Sequence, residues 1–199
     1  MNRDFLMRIG IVNMHKDRID ITSLLEAVKE LDCSPFILDA VPLSSIELLK
    51  AIQHSPIRHW IFSGSRYHIH HTGVPIVPME LFKTDKRFLM ICYSMQSVLV
   101  QLGFPIQERY VNRKGPFNLT VPKENQSHPL FKGIPSPMHV WRLHQFYFPR
   151  TILRAPVHLL ASYNGESMIA TYKNAVLVQH HPEKTEDGRQ FIENWLAAT

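Results

Sequence analysis

Residues 88–102 read Phe88-Leu89-Met90-Ile91-Cys92-Tyr93-Ser94-Met95-Gln96-Ser97-Val98-Leu99-Val100-Gln101-Leu102. A bounded apolar run of strand length occupies residues 88–92, and a helical pattern follows from 94 to 102 with Gly103 as its stop. A strand that runs straight into a helix is half of a β-α-β unit, and the preceding sequence supplies the rest. Residues 8–13 (RIGIVN) predict a buried strand, and Ser23 with Glu26 form a capping-box pattern opening a helix through residue 31. A second strand is predicted at 36–38. Ser44 and Glu47 repeat the capping pattern ahead of Ile46, Leu48, Leu49 and Ile52, placing a helix before Pro56. Residues 59–62 (HWIF) make a third strand, ending in Ser63-Gly64-Ser65. This alternation predicts an α/β fold, a mostly parallel sheet with helices on its faces.

The second half differs. Eight of the 14 prolines lie between Pro105 and Pro156, a density that breaks helices and favours short strands and turns. Strands are predicted at 118–121, 138–143, 157–163, 168–172 and 175–179, and a closing helix at 187–197, where Phe191, Ile192, Trp195 and Leu196 recur at helical spacing. No repeat or long linker interrupts the chain, so residues 1–199 are expected to form one domain.

Composition excludes several classes. The 199 residues are 45% hydrophobic and 20% charged, too apolar for a disordered chain. Two cysteines, Cys33 and Cys92, provide neither a disulfide framework nor a zinc site, and the expected setting is reducing and cytoplasmic. Residues 1–12 contain Arg8 and lack a small-residue cleavage motif, so no signal peptide is expected. The apolar runs are too short to span a membrane. The net charge is +5, but the basic residues form no block, which argues against nucleic acid as a partner. The cluster His68-Ile69-His70-His71 has no carboxylate or cysteine close by in sequence and reads as a polar loop, with no metal expected. Residues 83–87 (KTDKR) read as a solvated turn, Trp141 as a core residue and His180 as packing.

Phosphate-loop, dinucleotide, zinc-protease and serine-elbow motifs are all missing from the sequence. What remains is Cys92, at the junction of a strand and a helix on the C-terminal edge of a parallel sheet, where such sheets bind ligands. A helix N-terminus favours a thiolate through its free N–H groups and positive end. Cys33, placed in a helix-to-strand connection, has no such context. A cysteine nucleophile needs a base, and the base an orienting group. Gln179-His180-His181-Pro182-Glu183 supplies both: Pro182 biases His181 toward extended backbone, where residues two apart point the same way. The competing reading makes Cys92 a packed strand residue and His181-Glu183 a surface turn.

These segments resemble a known family. Met90-Ile91-Cys92-Tyr93-Ser94-Met95-Gln96 is similar to the G-I-C-Y-G-M-Q nucleophile elbow of class I glutamine amidotransferase domains, and Val178-Gln179-His180-His181-Pro182-Glu183 to their V-Q-F-H-P-E. Ile61-Phe62-Ser63-Gly64-Ser65 resembles their L-S-G-G-P turn. Within the family, the glutaminase domain of GMP synthetase is most similar. Residues 129–135 (PLFKGIP) resemble its P-L-F-K-G-L-P, and Val140-Trp141 with His144 its V-W-M-S-H-G-D. The resemblance covers nearly the whole chain.

It implies a flavodoxin-like three-layer α/β/α fold with a small added antiparallel region. It also implies a Cys92-His181-Glu183 triad that cleaves the side-chain amide of glutamine through a γ-glutamyl thioester, without a cofactor. The N–H of Tyr93 and one from Gly64-Ser65 would form the oxyanion hole, and Gln96 and His144 would contact substrate. The 199 residues contain no SGGxDS-type loop, so the resemblance implies a separate ATP-dependent synthetase subunit that receives the ammonia, as in purine nucleotide biosynthesis. Several positions depart from the family pattern: Met90 and Ser94 replace elbow glycines, Ser65 and Arg66 replace Gly-Pro, and Leu143, Gln145 and Phe146 replace the Ser, Gly and Asp around His144. An altered γ-glutamyl or amide substrate, or a regulatory binding role, is the alternative these departures imply.

Overall fold

The computed structural model describes residues 6–198; Met1–Phe5, part of the stretch weighed above as a signal peptide, and Thr199 lie outside the described residues. Strands β1 (Met7–Asn13), β2 (Cys33–Asp39), β3 (His59–Phe62) and β4 (Arg87–Ile91) alternate with helices α1 (Thr22–Glu30) and α2 (Ser45–His54), and β4 leads into α3 (Tyr93–Gln101). A two-stranded antiparallel sheet, β5 (Gln107–Leu119) with β6 (Met138–Tyr147), comes next. Strands β7 (His158–Tyr163), β8 (Glu166–Tyr172) and β9 (Ala175–Val178) and helix α4 (Glu186–Ala197) complete the chain.

The central sheet has seven strands in the order β2-β1-β3-β4-β9-β8-β7. From β2 to β9 all neighbours are parallel, and β8 and β7 join antiparallel. The strands alternate between two cores because successive side chains point to opposite faces. Ile9, Ile11, Ile61, Leu89, Ile91 and Val178 pack on one face with Leu24 and Val28 of α1 and Phe191, Ile192 and Trp195 of α4. Val12, Trp60, Phe62, Phe88, Met90 and Leu177 pack on the other with Leu48 and Ile52 of α2 and Val98 and Leu99 of α3. Three layers result, the flavodoxin-like α/β/α arrangement expected above. The short sheet of β5 and β6 is the added antiparallel region, and its Phe117, Leu119 and Val140 seal the first core.

The helix signals divide. Ser44 and Glu47 make a complete capping box, with Glu47 N–H donating to Ser44 Oγ and Ser44 N–H to Glu47 Oε2. The Ser23-Glu26 box does not form. A 3-10 turn, Arg18–Ile21, runs directly into α1, so Ser23 lies inside the helix and its hydroxyl accepts from Lys184 Nζ. The part of β5 ahead of the predicted strand at 118–121 carries no apolar alternation. It is extended because β6, which continues to Tyr147, gives its backbone a partner, with a register shift between Glu108 and Arg113. Lys86, expected in a solvated turn, is buried and donates to the carbonyl of Ser55. Cys33 opens β2 instead of lying before it; its thiol donates to Leu31 O at 3.4 Å, and burial pushes it up from its ordinary pKa.

One close approach fixes β1 against β3. A Cβ on Gly10 would lie 2.1 Å from Trp60 Cε3, and Trp60 is fully buried with its indole N–H donating to Ile57 O at 3.0 Å. Gly10→Ala must therefore displace an indole from a close-packed layer. Urea unfolding is expected to show a loss of about 2 kcal/mol or more. An unchanged midpoint would contradict this packing.

Candidate active site

Cys92 follows the last residue of β4 and precedes the first of α3, with φ +49° and ψ −103°. A non-glycine residue pays about 1–3 kcal/mol for such a conformation. Three hydrogen bonds hold it there. Cys92 N–H donates to Val178 O at 2.7 Å, Gln96 N–H donates to Cys92 O at 3.0 Å, and Ser94 Oγ donates to Ser63 O at 2.6 Å. The glycine replacements are thus absorbed locally. Ser94 ties the elbow to the end of β3, and Met90 is an ordinary in-register strand residue, paired with Phe62 and Leu177 in the second core.

The β3 turn is tied to the end of β1. Met14 N–H donates to Ser63 Oγ at 2.9 Å, and Ser65 Oγ donates to Met14 O at 2.9 Å while accepting from Tyr67 N–H. Arg66 pairs with Asp20 at 2.5 Å, and His15 lies 3.4 Å from the same carboxylate. Gly64 stands against the imidazole of His181: a Cβ there would be 2.9 Å from His181 Cε1 and 3.5 Å from Cys92 Cβ.

His181 is extended (φ −103°, ψ 92°) ahead of Pro182, and its Nδ1 lies 2.8 Å from Glu183 Oε1. The carboxylate can only accept, so Nδ1 carries the proton and Nε2 faces the Gly64 turn. His181 N–H donates to Trp141 O at 2.7 Å, which fastens this loop to β6. Burial works to lower the pKa of His181, but the Glu183 carboxylate and the hydrogen bond and charge of Cys92 outweigh it and raise the imidazole to about 10. The same ion pair holds Glu183 below its ordinary value against its own burial.

Cys92, His181 and Glu183 line one cavity of about 460 Å³ at the C-terminal edge of the parallel strands, together with Tyr93, Gly64, Ser65, Gln96 and His144. All eight site residues singled out from the sequence thus surround the same space. Two of them are differently engaged from what the resemblance implied. Gln96 is buried and spends its amide N–H groups on Phe146 O at 3.2 Å and Gln179 Oε1 at 3.4 Å. His144 Nε2 lies 3.0 Å from Glu166 Oε2, and Glu166 is fully buried against Arg109 (2.7 Å) and Arg113 (3.4 Å). Burial alone would raise the Glu166 carboxyl, yet its His144 and arginine partners hold it low, while burial holds His144 below its ordinary value.

Sequence reasoning missed Glu166, because a glutamate after the Asn164-Gly165 turn gives no sign of burial. It also placed Trp141 in the core, whereas Trp141 is part-exposed on the cavity wall. His180 is packing: burial pushes it to about 3, and its ring meets Phe191 edge-on. In the loop after β3, His68 stacks on His71, and His68 and His70 contact the ring of Phe146 at the cavity wall. No group of three or more His, Cys, Asp or Glu among the described residues is placed to hold a metal.

The family model for glutamine amidotransferase class-I matches residues 21–198. The chain belongs to this class I glutamine amidotransferase family. Curated relatives include glutamine-hydrolysing GMP synthases of Lactobacillus acidophilus, 35% identical over 148 residues, and Bartonella henselae, 32% identical over 156 residues. Each alignment takes in 74% of this amidotransferase chain but only 26% and 29% of the relative, so the chain spans under a third of their length. Among solved structures, a Thermoplasma acidophilum protein provisionally described as one subunit of GMP synthase has a TM-score of 0.71 at 20% identity, covering 97% of this chain and 94% of that one. The glutaminase domain of Trypanosoma brucei CTPS, with bound acivicin, has a TM-score of 0.70 at 12% identity, with coverage of 97% and 95%. These two likenesses support the fold.

The contact between Gly64 and His181 gives a direct check of the amidotransferase site. Gly64→Ala is expected to push the imidazole away from Cys92 and slow covalent modification of Cys92 by about 10–100-fold, since displacements near 1 Å carry penalties of that order. Far-UV circular dichroism should be unchanged, and an unaltered modification rate would contradict the placement.

Proposed function

We propose that the chain hydrolyses the side-chain amide of glutamine and passes the ammonia to a separate ATP-dependent synthetase subunit, acting as one amidotransferase domain over residues 1–199. The observation that carries this reading is the His181 imidazole, oriented by Glu183 through Nδ1 and turned toward the Cys92 thiol at a helix N-terminus. An imidazole raised to about 10 takes the thiol proton readily. The thiolate then attacks the amide carbonyl, and the oxyanion is met by the N–H of Tyr93, a first-turn helical group with no intrahelical acceptor, and by the Gly64-Ser65 turn. The imidazolium returns its proton to the departing nitrogen, leaving ammonia and a γ-glutamyl thioester on Cys92. Water, deprotonated by His181, releases glutamate and restores the thiol.

Gln96 and His144 shape the glutamine pocket from behind, each fixed by a buried partner, and no cofactor takes part. The synthetase partner follows from the names of the relatives: GMP synthases that hydrolyse glutamine, and a structural neighbour described as one chain of a GMP synthase built from separate subunits. Two free thiols fit a cytoplasmic setting, and no helix among the described residues is long and apolar enough to cross a membrane. The test is glutamate release from glutamine by the purified chain, alone and with a candidate synthetase. Release supports the reading. A chain that forms a stable complex with the synthetase yet neither hydrolyses glutamine nor is labelled by diazo-oxo-norleucine supports a regulatory binding domain instead. The Phe146 ring and its histidine neighbours favour one second reading, a different γ-glutamyl or amide substrate with a less polar body.

A further inference from the structure

The sulfur of Cys92 has two polar contacts besides His181, and they differ in sign. The thiol donates to Leu143 O at 3.6 Å, and Gln179 Nε2 donates to the sulfur at 3.4 Å. A carbonyl favours the protonated thiol. An amide N–H favours the thiolate. Gln179 is completely buried in the segment just after β9, so this donor faces the sulfur without competition from water.

The orientation of the Gln179 amide is enforced. Phe146 O can only accept, so the end of Gln96 that faces it must be Nε2. The other hydrogen of that nitrogen points to Gln179, so Gln179 must present Oε1 to it and Nε2 to the sulfur. A backbone carbonyl of β6 thereby fixes, through two buried amides, which atom Cys92 meets.

We propose that Gln179 is a catalytic residue that stabilises the Cys92 thiolate by hydrogen bonding, and that Gln96 is the positioning residue that aims its amide. When the thiol proton leaves for His181, the sulfur exchanges its bond to Leu143 O for that from Gln179 N–H. This deepens the mechanism proposed above, yet its test does not require that glutamine be the substrate.

The experiment measures the second-order rate of iodoacetamide alkylation at neutral pH, located at Cys92 by peptide mass, in the native chain and in the Gln179→Met, Gln179→Glu and Gln96→Met variants. Met keeps the length of the side chain and removes the donor. Alkylation is expected to fall about 10-fold in Gln179→Met and further in Gln179→Glu, whose carboxylate opposes the thiolate. It should fall about 3-fold in Gln96→Met, and Gln96→Met combined with Gln179→Met should be no slower than Gln179→Met alone. Alkylation unchanged in any folded Gln179 variant overturns the proposal, as does additivity of the two Met substitutions. If Gln179→Met or Gln179→Glu fails to fold, the remaining variants decide between the same two outcomes. Native protein that is alkylated in this Gln179-dependent way but releases no glutamate would leave this inference standing and remove the glutaminase reading.

Discussion

Cys92→Ala is expected to abolish glutamate release, lowering the rate by on the order of 10⁴-fold or more, because no other thiol lines the cavity among the described residues. The same substitution should abolish covalent labelling by diazo-oxo-norleucine, read as the missing mass increment on the intact chain. Cys33 does not replace it: that thiol lies at the start of β2, bonded to Leu31 O and pushed up by burial. Folding should be little affected, since the elbow is held by backbone bonds from Cys92 and by the Ser94 hydroxyl. Residual turnover above background in Cys92→Ala would remove the thioester mechanism. Removing the sulfur also removes one of the influences that raise His181, so the imidazole titration followed by NMR should move down from about 10 in this variant.

Glu183→Gln keeps the shape of the pair and removes its charge. A neutral amide presents either an N–H or an oxygen to Nδ1 and no longer stabilises the imidazolium, so turnover should fall about 10³-fold with little change in KM. The pH dependence of stability provides an independent check. His181 is raised above its ordinary 6.5, so the native chain gains stability from it fully below that value and loses the gain as pH climbs from there through about 10. Glu183 is lowered below its ordinary 4.5, so its gain is present above that value and is lost as pH falls through its depressed pKa. Urea unfolding should therefore show the native chain exceeding Glu183→Gln most between about pH 5 and 6.5, with the difference shrinking toward pH 10. A difference that does not depend on pH would exclude the charged pair.

Much of this site is written in short segments. Cys92 before a helix, His181 ahead of Pro182 and Glu183 two residues on are local patterns, and the structure keeps each where those patterns put it. The Ser44-Glu47 box is read correctly for the same reason. Ser23-Glu26 has the same pattern and fails, because the turn at Arg18–Ile21 already leads the chain into α1. The strand β5 and the buried Glu166 have no local signature: one depends on pairing with β6, the other on cations supplied from β5.

By itself the sequence determined the alternating strands and helices, the two-faced apolar layers and the candidacy of Cys92, His181 and Glu183, since each rests on backbone preferences and side-chain periods spanning only a few residues. Only the tertiary structure decided which residues meet. The sheet order sets β4 beside β9, and parallel pairing of Ile91 with Val178 makes Cys92 and Gln179 emerge side by side. That adjacency brings His181 to the sulfur and the Gln96-Gln179 amides behind it, while Phe146 O and Trp141 O of β6 fix both. A strand's neighbours are chosen by burial of the whole sheet, a property of all its segments at once, and no single stretch of the chain records it.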